Sequence, residues 1–460
     1  MIEIEEIECP AGAVGAAEAL VGEEYVCFLD SSLPGEAGRW SFLAFRPLFV
    51  MTAENGRVLV GGCGAGSDPF SVLAALLEQY RIPAGVAGPP FACGAAGYLS
   101  YDLARYLEAL PSAAAADLPQ PDLCLAFYDC TVAFDNADGR AWLCHLPSAR
   151  GKARDARLRL RSVRQAPLPD CPPAEAHASP ADLPGIECNF TRSGYLRAVE
   201  LVQDYIAAGD VYQINLSQRF SVPFPGNPWA LYKLLRTVNP SPFGCFLDFP
   251  GLTLASASPE RFLKLDGATH VVETRPIKGT RPRGRTRAQD RELAAELEAS
   301  EKDRAENLMI VDMERNDLGR VCAYGSISVP SLWAIREHPN VFQMESIVRG
   351  VLAPGKGPAD LIAACFPGGS ITGAPKIRAV QIIEELEPTR RGIYTGSVGY
   401  IDLRGNLDCS IVIRSIVLRN GRAYFHGGGG IVADSVPENE YQETLDKVSG
   451  LAAALKAAPG

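Results

Sequence analysis

Apolar positions recur along this chain with two different periods. Alternating runs predict strands over 24–29, 40–45, 123–134 and 141–145, and again over 211–220, 245–249, 252–256, 261–265, 397–402, 410–418 and 422–425. A period near 3.6 predicts a helix over 68–80, where Phe70, Val72, Leu73, Leu76 and Leu77 share a face. Asp68 is its expected N-cap and Pro69 its first residue. A short helix is expected over 97–105 and a solvated one over 150–164. Leu196, Val199, Val202, Tyr205 and Ile206 stripe another helix, closed by Gly209. Further helices are predicted over 290–312, 377–386 and 437–455, the last with Pro in its first turn and acids near its positive end.

Strands and helices do not alternate regularly, so the pattern is α+β rather than doubly wound. Three stretches are expected: an N-terminal unit over 1–145, a basic then Pro- and Ala-rich linker over 146–189, and a main unit over 190–455. Within the linker, 165–184 carries the strongest signal. The chain has 460 residues and a net charge of −10, which leaves no basic excess to meet nucleic-acid phosphates. Met1 to Cys9 is acidic and lacks the apolar core of a signal peptide. No apolar run reaches the ~18 residues of a membrane helix, so a cytoplasmic protein is expected. The 13 cysteines are scattered without a Cys-x-x-Cys pair, and the five histidines have no metal-ligand spacing. Gly62-Cys63-Gly64 hints at a nucleophile elbow, but no His–Glu relay follows it. No phosphate-loop or dinucleotide fingerprint is present.

Three features carry candidate chemistry. The run Glu273-Thr274-Arg275-Pro276-Ile277-Lys278-Gly279-Thr280-Arg281 presents one lysine between a fixed and a free backbone angle, at or just past a strand end. Asp303 and Glu306 share one helix face, and Glu440, Glu443 and Lys447 share another. Two such faces turned toward each other would offer a hard cation such as Mg²⁺ oxygen ligands only. Gly427 to Gly430 and Pro367 to Lys376 are small-residue loops suited to carboxylates, and Arg414 stands among apolar residues as a natural carboxylate partner.

These motifs, with Ser258-Pro259-Glu260-Arg261-Phe262, Ile413-Arg414 and the segment from Gly430-Ile431-Val432 to Glu443-Thr444, resemble the chorismate-utilising enzymes. The likeness is dense from about 190 to 450 and looser over 1–145. It implies large antiparallel sheets packed as a sandwich with peripheral helices. It also implies that Glu306 and Glu443 bind Mg²⁺, with Asp303 and Glu440 acting through water. Tyr394, Arg414 and the Gly428, Gly429 and Gly430 backbone would hold the pyruvyl carboxylate of chorismate, with Gly279, Thr280, Arg281, Ser370, Lys447 and Gln213 around the substrate.

Lys278 resembles the aminodeoxychorismate branch, whereas anthranilate-forming relatives usually carry Ala there; amination at C2 with pyruvate loss is the alternative. Branches that activate water place a Lys where this chain has Gln213. The implied roles are Glu260 as general acid at the 4-hydroxyl and Lys278 as nucleophile at C2, with ammonia then adding at C4. Lys278 must then be neutral, and Arg275 and Arg281 are expected to push it that way. Many relatives have His where Gln343 stands, and His338 is out of register, so no catalytic His is assigned. Ser31, Ser32, Trp40, Phe42, Pro242 and Phe243 correspond to a tryptophan pocket in relatives. The chain contains no glutaminase, so the resemblance implies ammonia from a separate amidotransferase subunit in a heterodimer.

Overall fold

Two twelve-stranded sheets carry the molecule, and every ladder in them is antiparallel. The structure is a computed structural model and describes residues 2–33, 35–83, 85–164, 168–169, 176–338 and 341–458. The strongest part of the expected linker, 165–184, falls partly outside the described residues. The α+β class and the sheet sandwich are as expected.

Apolar side chains on both faces of both sheets give three core layers. The middle layer lies between the sheets: Phe42 and Leu247 of one meet Tyr98, Val398 and Tyr400 of the other, with the Phe42 and Tyr400 rings 5.2 Å apart. On the outer face of the first sheet lie helices Gly12–Leu20, Arg150–Ser162, Pro228–Val238 and Pro437–Ala457. Helices Pro69–Gln79, Glu301–Gly319 and Pro358–Cys365 cover the outer face of the second. Strands buried on both faces read as continuous apolar runs rather than strict alternation. That is the pattern of Leu123–Tyr128 and Cys130–Asp135, every residue of which is buried.

Each sheet is assembled from both ends of the chain. In the first, strand Val26–Asp30 pairs with Phe243–Phe249. In the second, Gly94–Leu99 pairs with Ser397–Asp402.

Several expected elements are corrected. The run 123–134 is two strands in different sheets, because the chain crosses between sheets at Asp129. The run 410–418 likewise splits into Leu407–Ile411 and Ser415–Arg419, one in each sheet. Residues 97–99 complete a strand rather than open a helix, since Gly94–Leu99 has ladder partners on both sides; a 3₁₀ turn, Tyr101–Tyr106, follows. The helical block 290–312 is two helices, Arg287–Ala299 and Glu301–Gly319, divided at Ser300, whose side chain caps the second by accepting from the Asp303 amide. Gly427 to Gly430 are not a loop but part of the strand Arg422–Ile431, paired along Gln213–Pro223.

Candidate active site

The cleft forms where chain segments leave one sheet for the other. Strand Leu252–Ser258 belongs to the first sheet and Arg261–Leu265 to the second, which makes Pro259 and Glu260 a crossover. Val412, Ile413 and Arg414 cross back between Leu407–Ile411 and Ser415–Arg419. The two crossovers are bonded together. The Ser258 hydroxyl donates to the Ile411 carbonyl at 2.5 Å, the Ile411 amide to the Glu260 carbonyl at 3.1 Å, and the Ala257 amide to the Arg414 carbonyl at 3.1 Å. Arg414 is therefore not within a strand; it takes φ 53°, a conformation that β-branched and long side chains rarely adopt.

Lys278 lies in the edge strand Ile277–Pro282, opposite Met344. The ladder slips between Lys278 and Thr280, so Gly279 forms a bulge with φ 78°. A Cβ at Gly279 would stand 2.8 Å from Cγ of Asp303 and from Cδ1 of Leu297, so only glycine lets the Glu301–Gly319 helix approach this closely. The bulge thus sets Lys278 against the helix that carries Asp303 and Glu306.

Burial lowers the Lys278 pKa, and the Lys447 ammonium adds to that, against Glu306, Glu260 and Glu443. The expectation that Arg275 and Arg281 drive this shift is corrected, because both are neutralised. Arg275 bonds Glu273 at 2.5 Å and Glu36 at 2.9 Å; Arg281 bonds Glu296 at 2.8 Å and Asp303 at 3.0 Å. Glu260 is 6% exposed, and burial raises its pKa although the Ser370 hydroxyl, the Lys278 ammonium and the Ile277 amide pull the other way.

Across the cleft, the glycine strand meets the C-terminal helix Pro437–Ala457. A Cβ at Gly427 would lie 2.4 Å from the Thr444 carbonyl, and one at Gly429 would lie 3.3 Å from carboxylate oxygens of both Glu440 and Glu443. Lys447 donates to the Gly428 carbonyl at 2.8 Å and pairs with Glu443 at 2.6 Å. Arg414 donates to the Lys447 carbonyl at 2.8 Å. Tyr394 faces Gly428 with its hydroxyl. Gln213 fills the space a side chain at Gly430 would need, and its Oε1 is buried without a partner among the described residues.

Glu306 and Glu443 come from two different helices, Glu301–Gly319 and Pro437–Ala457, and the Glu443 charge reaches Glu306. Burial and the neighbouring acids Asp303 and Glu443 raise Glu306, while Lys278 and Lys302 lower it. Ser435 donates to one oxygen of Glu440 at 2.6 Å; the other oxygen is buried and has no partner among the described residues. Among the described residues, no three His, Cys, Asp or Glu side chains form a ready metal cluster. Asp303 is held by Arg281 at 3.0 Å beside Gly279, and Glu440 and Glu443 lie beside Gly429. The donor set is nonetheless all oxygen and includes one buried Glu440 oxygen without a partner among the described residues, a chemistry that fits a hard divalent cation.

The remaining expected residues divide. Ser370 sits buried in a short turn, Gly369–Ile371, beside Glu260. Thr280 is exposed, and opposite it Gln343 occupies the strand Val341–Val351. His338 lies instead in a neighbouring cleft with Arg275 and Arg336. Ser31, Trp40, Phe42, Pro242 and Phe243 line a separate cavity of ≈ 470 Å³ with Arg261 and Asp408; Ser32 turns away to bond Ser241.

Two residues of the site were missed from sequence. His426 stacks on Tyr394 with rings 4.4 Å apart and 3° from parallel, and burial keeps it neutral. Glu314 is buried on the inward face of the Glu301–Gly319 helix, where the Glu260 charge reaches it. Its signal was present: it interrupts the inward stripe of Ile310, Val311 and Leu318 with an acid. His426 gave none, because it precedes the glycines as one residue of a strand.

A family model described as chorismate binding enzyme matches residues 26–453. The chain is 39% identical over 425 residues to aminodeoxychorismate synthase component 1 of Bacillus subtilis, covering 91% of this chain and 90% of that one. It is 44% identical over 436 residues to anthranilate synthase component 1 of Thermus thermophilus, covering 94% and 92%. The crystal structure of anthranilate synthase component I from Streptococcus pneumoniae superposes with a TM-score of 0.79 at 31% identity, covering 92% of this chain and 93% of that one.

Proposed function

The chain belongs to the chorismate-binding enzymes, and we propose that it aminates chorismate at C4 to give 4-amino-4-deoxychorismate through a covalent Lys278 intermediate. Relatives of similar identity carry both the aminodeoxychorismate and the anthranilate synthase names. The observation that carries the choice is Lys278 itself: an amine of lowered pKa set between the buried acid Glu260 and the carboxylates Glu306 and Glu443. Anthranilate formation remains the second reading, favoured by the higher identity to the Thermus relative.

The chemistry balances on this chain's own groups. Glu260 gives its proton to the 4-hydroxyl, which leaves as water while the neutral Lys278 amine bonds C2 and the two ring double bonds each shift one position toward C4. Ammonia then bonds C4, and the C2–N bond breaks with its electron pair returning to Lys278. The new C4 ammonium returns a proton to Glu260. Glu306 and Glu443, with Asp303 and Glu440 further out, would hold Mg²⁺, which supplies positive charge for the ring carboxylate. Arg414, Tyr394 and the glycine-strand backbone face the other carboxylate. Ammonia is supplied by a separate glutamine amidotransferase component, consistent with relatives named as component 1.

The test is the purified chain with chorismate, Mg²⁺ and ammonium, read by mass spectrometry beside Lys278→Ala. Aminodeoxychorismate without pyruvate, slowed a thousand-fold or more (about the scale of losing a nucleophile) in the variant, supports the reading. Anthranilate with pyruvate from the wild type overturns it.

A further inference from the structure

The strand Arg422–Ile431 turns its two faces to different neighbours. Side chains alternate along a strand, so His426, Gly428 and Gly430 share one face and Gly427 and Gly429 the other. The space around the glycines follows that division. A Cβ at Gly427 would meet Thr444 and Val448 of the C-terminal helix, and one at Gly429 would meet Glu440 and Glu443. A Cβ at Gly428 would instead stand 3.1 Å from the Tyr394 hydroxyl oxygen. Tyr394 therefore lies along the His426 face. Its ring stacks on the imidazole at 4.4 Å and 3° from parallel, and its hydroxyl reaches Gly428.

Backbone bonds fix where Tyr394 starts but not where its ring points. The Thr395 amide donates to the Val412 carbonyl at 2.7 Å, and the Val412 amide donates to the Gly396 carbonyl at 2.9 Å. Val412 opens the crossover that carries Arg414, so the backbones of Tyr394 and Arg414 share one frame. The phenol still has two side-chain torsions to settle. A flat partner at this distance restricts both, since turning the phenol drives its edge into the imidazole or gives up the contact. Arg219 stands opposite His426 in the ladder, but its guanidinium bonds Asp117 at 2.8 Å and lies 5.6 Å from the Tyr424 ring centroid.

We propose that His426 is the positioning residue for Tyr394: its imidazole holds the phenol flat along the strand, so that the hydroxyl stays beside Gly428 to donate to a carboxylate. The inference rests on the reading above in which Tyr394 faces a carboxylate of chorismate. It also gives Gly428 a reason to be bare. A side chain there would crowd the phenol hydroxyl, so His426 sets the plane of the ring and Gly428 leaves room for its end. A residue that acts through Tyr394, on a carboxylate away from the bonds that change, supports ground state and transition state alike. Its loss therefore appears in KM rather than in kcat.

The test is a double-mutant cycle read by chorismate consumption, followed whatever the product, with ammonium and Mg²⁺. His426→Leu removes the flat partner and should raise KM about two- to ten-fold, the scale of one aromatic pair, with kcat within a few-fold of wild type. His426→Phe keeps a ring and should recover most of that loss. Tyr394→Phe removes the hydroxyl and should raise KM, and adding His426→Leu to it should raise KM no further. Additive effects overturn the proposal, as does an unchanged KM in His426→Leu beside a raised one in Tyr394→Phe. His426→Gln is the second non-aromatic replacement, should the leucine variant fold poorly. Fluorine spectra of protein labelled with 3-fluorotyrosine read the stack without turnover. The Tyr394 signal, known by its loss in Tyr394→Phe, should move in His426→Leu and move less in His426→Phe. A signal that stays in place in both overturns the proposal. A wild-type KM in Tyr394→Phe would sink the carboxylate reading of Tyr394, while the fluorine signal still decides whether His426 positions the ring.

Discussion

At the scale of single residues, burial moves the protonation equilibria of Lys278 and Glu260 toward each other. Burial pushes an ammonium toward its neutral form and a carboxylate toward its neutral form, and Lys278 and Glu260 are moved in these opposite directions. The consequence for pH is definite. Rate should rise as Lys278 loses its proton, at a pH below the ~10.4 of a free lysine, and fall as Glu260 loses its own, above the ~4.3 of a free glutamate. A bell-shaped kcat/KM profile checks this, and Glu260→Asp should shift only its alkaline limb. A profile whose acid limb lies at an ordinary lysine pKa would mean that Lys278 is not the group titrating.

At the scale of elements, one buried ion pair fastens the floor of the cleft. Arg391 donates to Glu387 at 2.7 Å and 3.0 Å and to the Ile371 carbonyl at 2.9 Å and the Asn215 carbonyl at 2.5 Å. Glu387, just past helix Lys376–Leu386, accepts in turn from the Ser217 amide and hydroxyl at 2.8 Å and 2.9 Å. These bonds tie helix, Ser370 turn and the strand Gln213–Pro223 into one body. Both side chains are under 5% exposed. Arg391→Met should therefore cost about 3–5 kcal/mol, since it strands a buried carboxylate. Denaturant unfolding measures this; a loss below 1 kcal/mol would show that water replaces the arginine. The double change Arg391→Met with Glu387→Gln should recover part of the loss.

At the scale of the whole molecule, the two ends of the chain fold as one. Each sheet continues from the 1–145 stretch into the 190–455 stretch through a single ladder. A fragment beginning at 190 would leave Phe243–Phe249 and Ser397–Asp402 as long, apolar open edges. It is expected to aggregate, while the full chain gives one cooperative transition. Circular dichroism and light scattering on the fragment check this; a monomeric, folded fragment would refute it. Among the described residues no helix is long and apolar enough to cross a membrane.

The sequence by itself determined the α+β class, most of the helices and the chemical vocabulary of the site: the lone lysine beside Gly279, the acids on two helix faces, the glycine run and Arg414. These were legible because helix periodicity and local composition are properties of neighbouring residues. Only the tertiary structure decided where apolar runs break. Asp129 and the 412–414 segment are turning points between sheets, and a strand buried on both faces carries no mark of which sheet it joins. It also decided what lowers the Lys278 pKa. Arg275 and Arg281 are near in sequence but spend their charge on Glu273, Glu36, Glu296 and Asp303, while the distant Lys447 and the burial of the cleft do what they were expected to do. Charge acts through space, and the partners that cancel it lie up to hundreds of residues away along the chain.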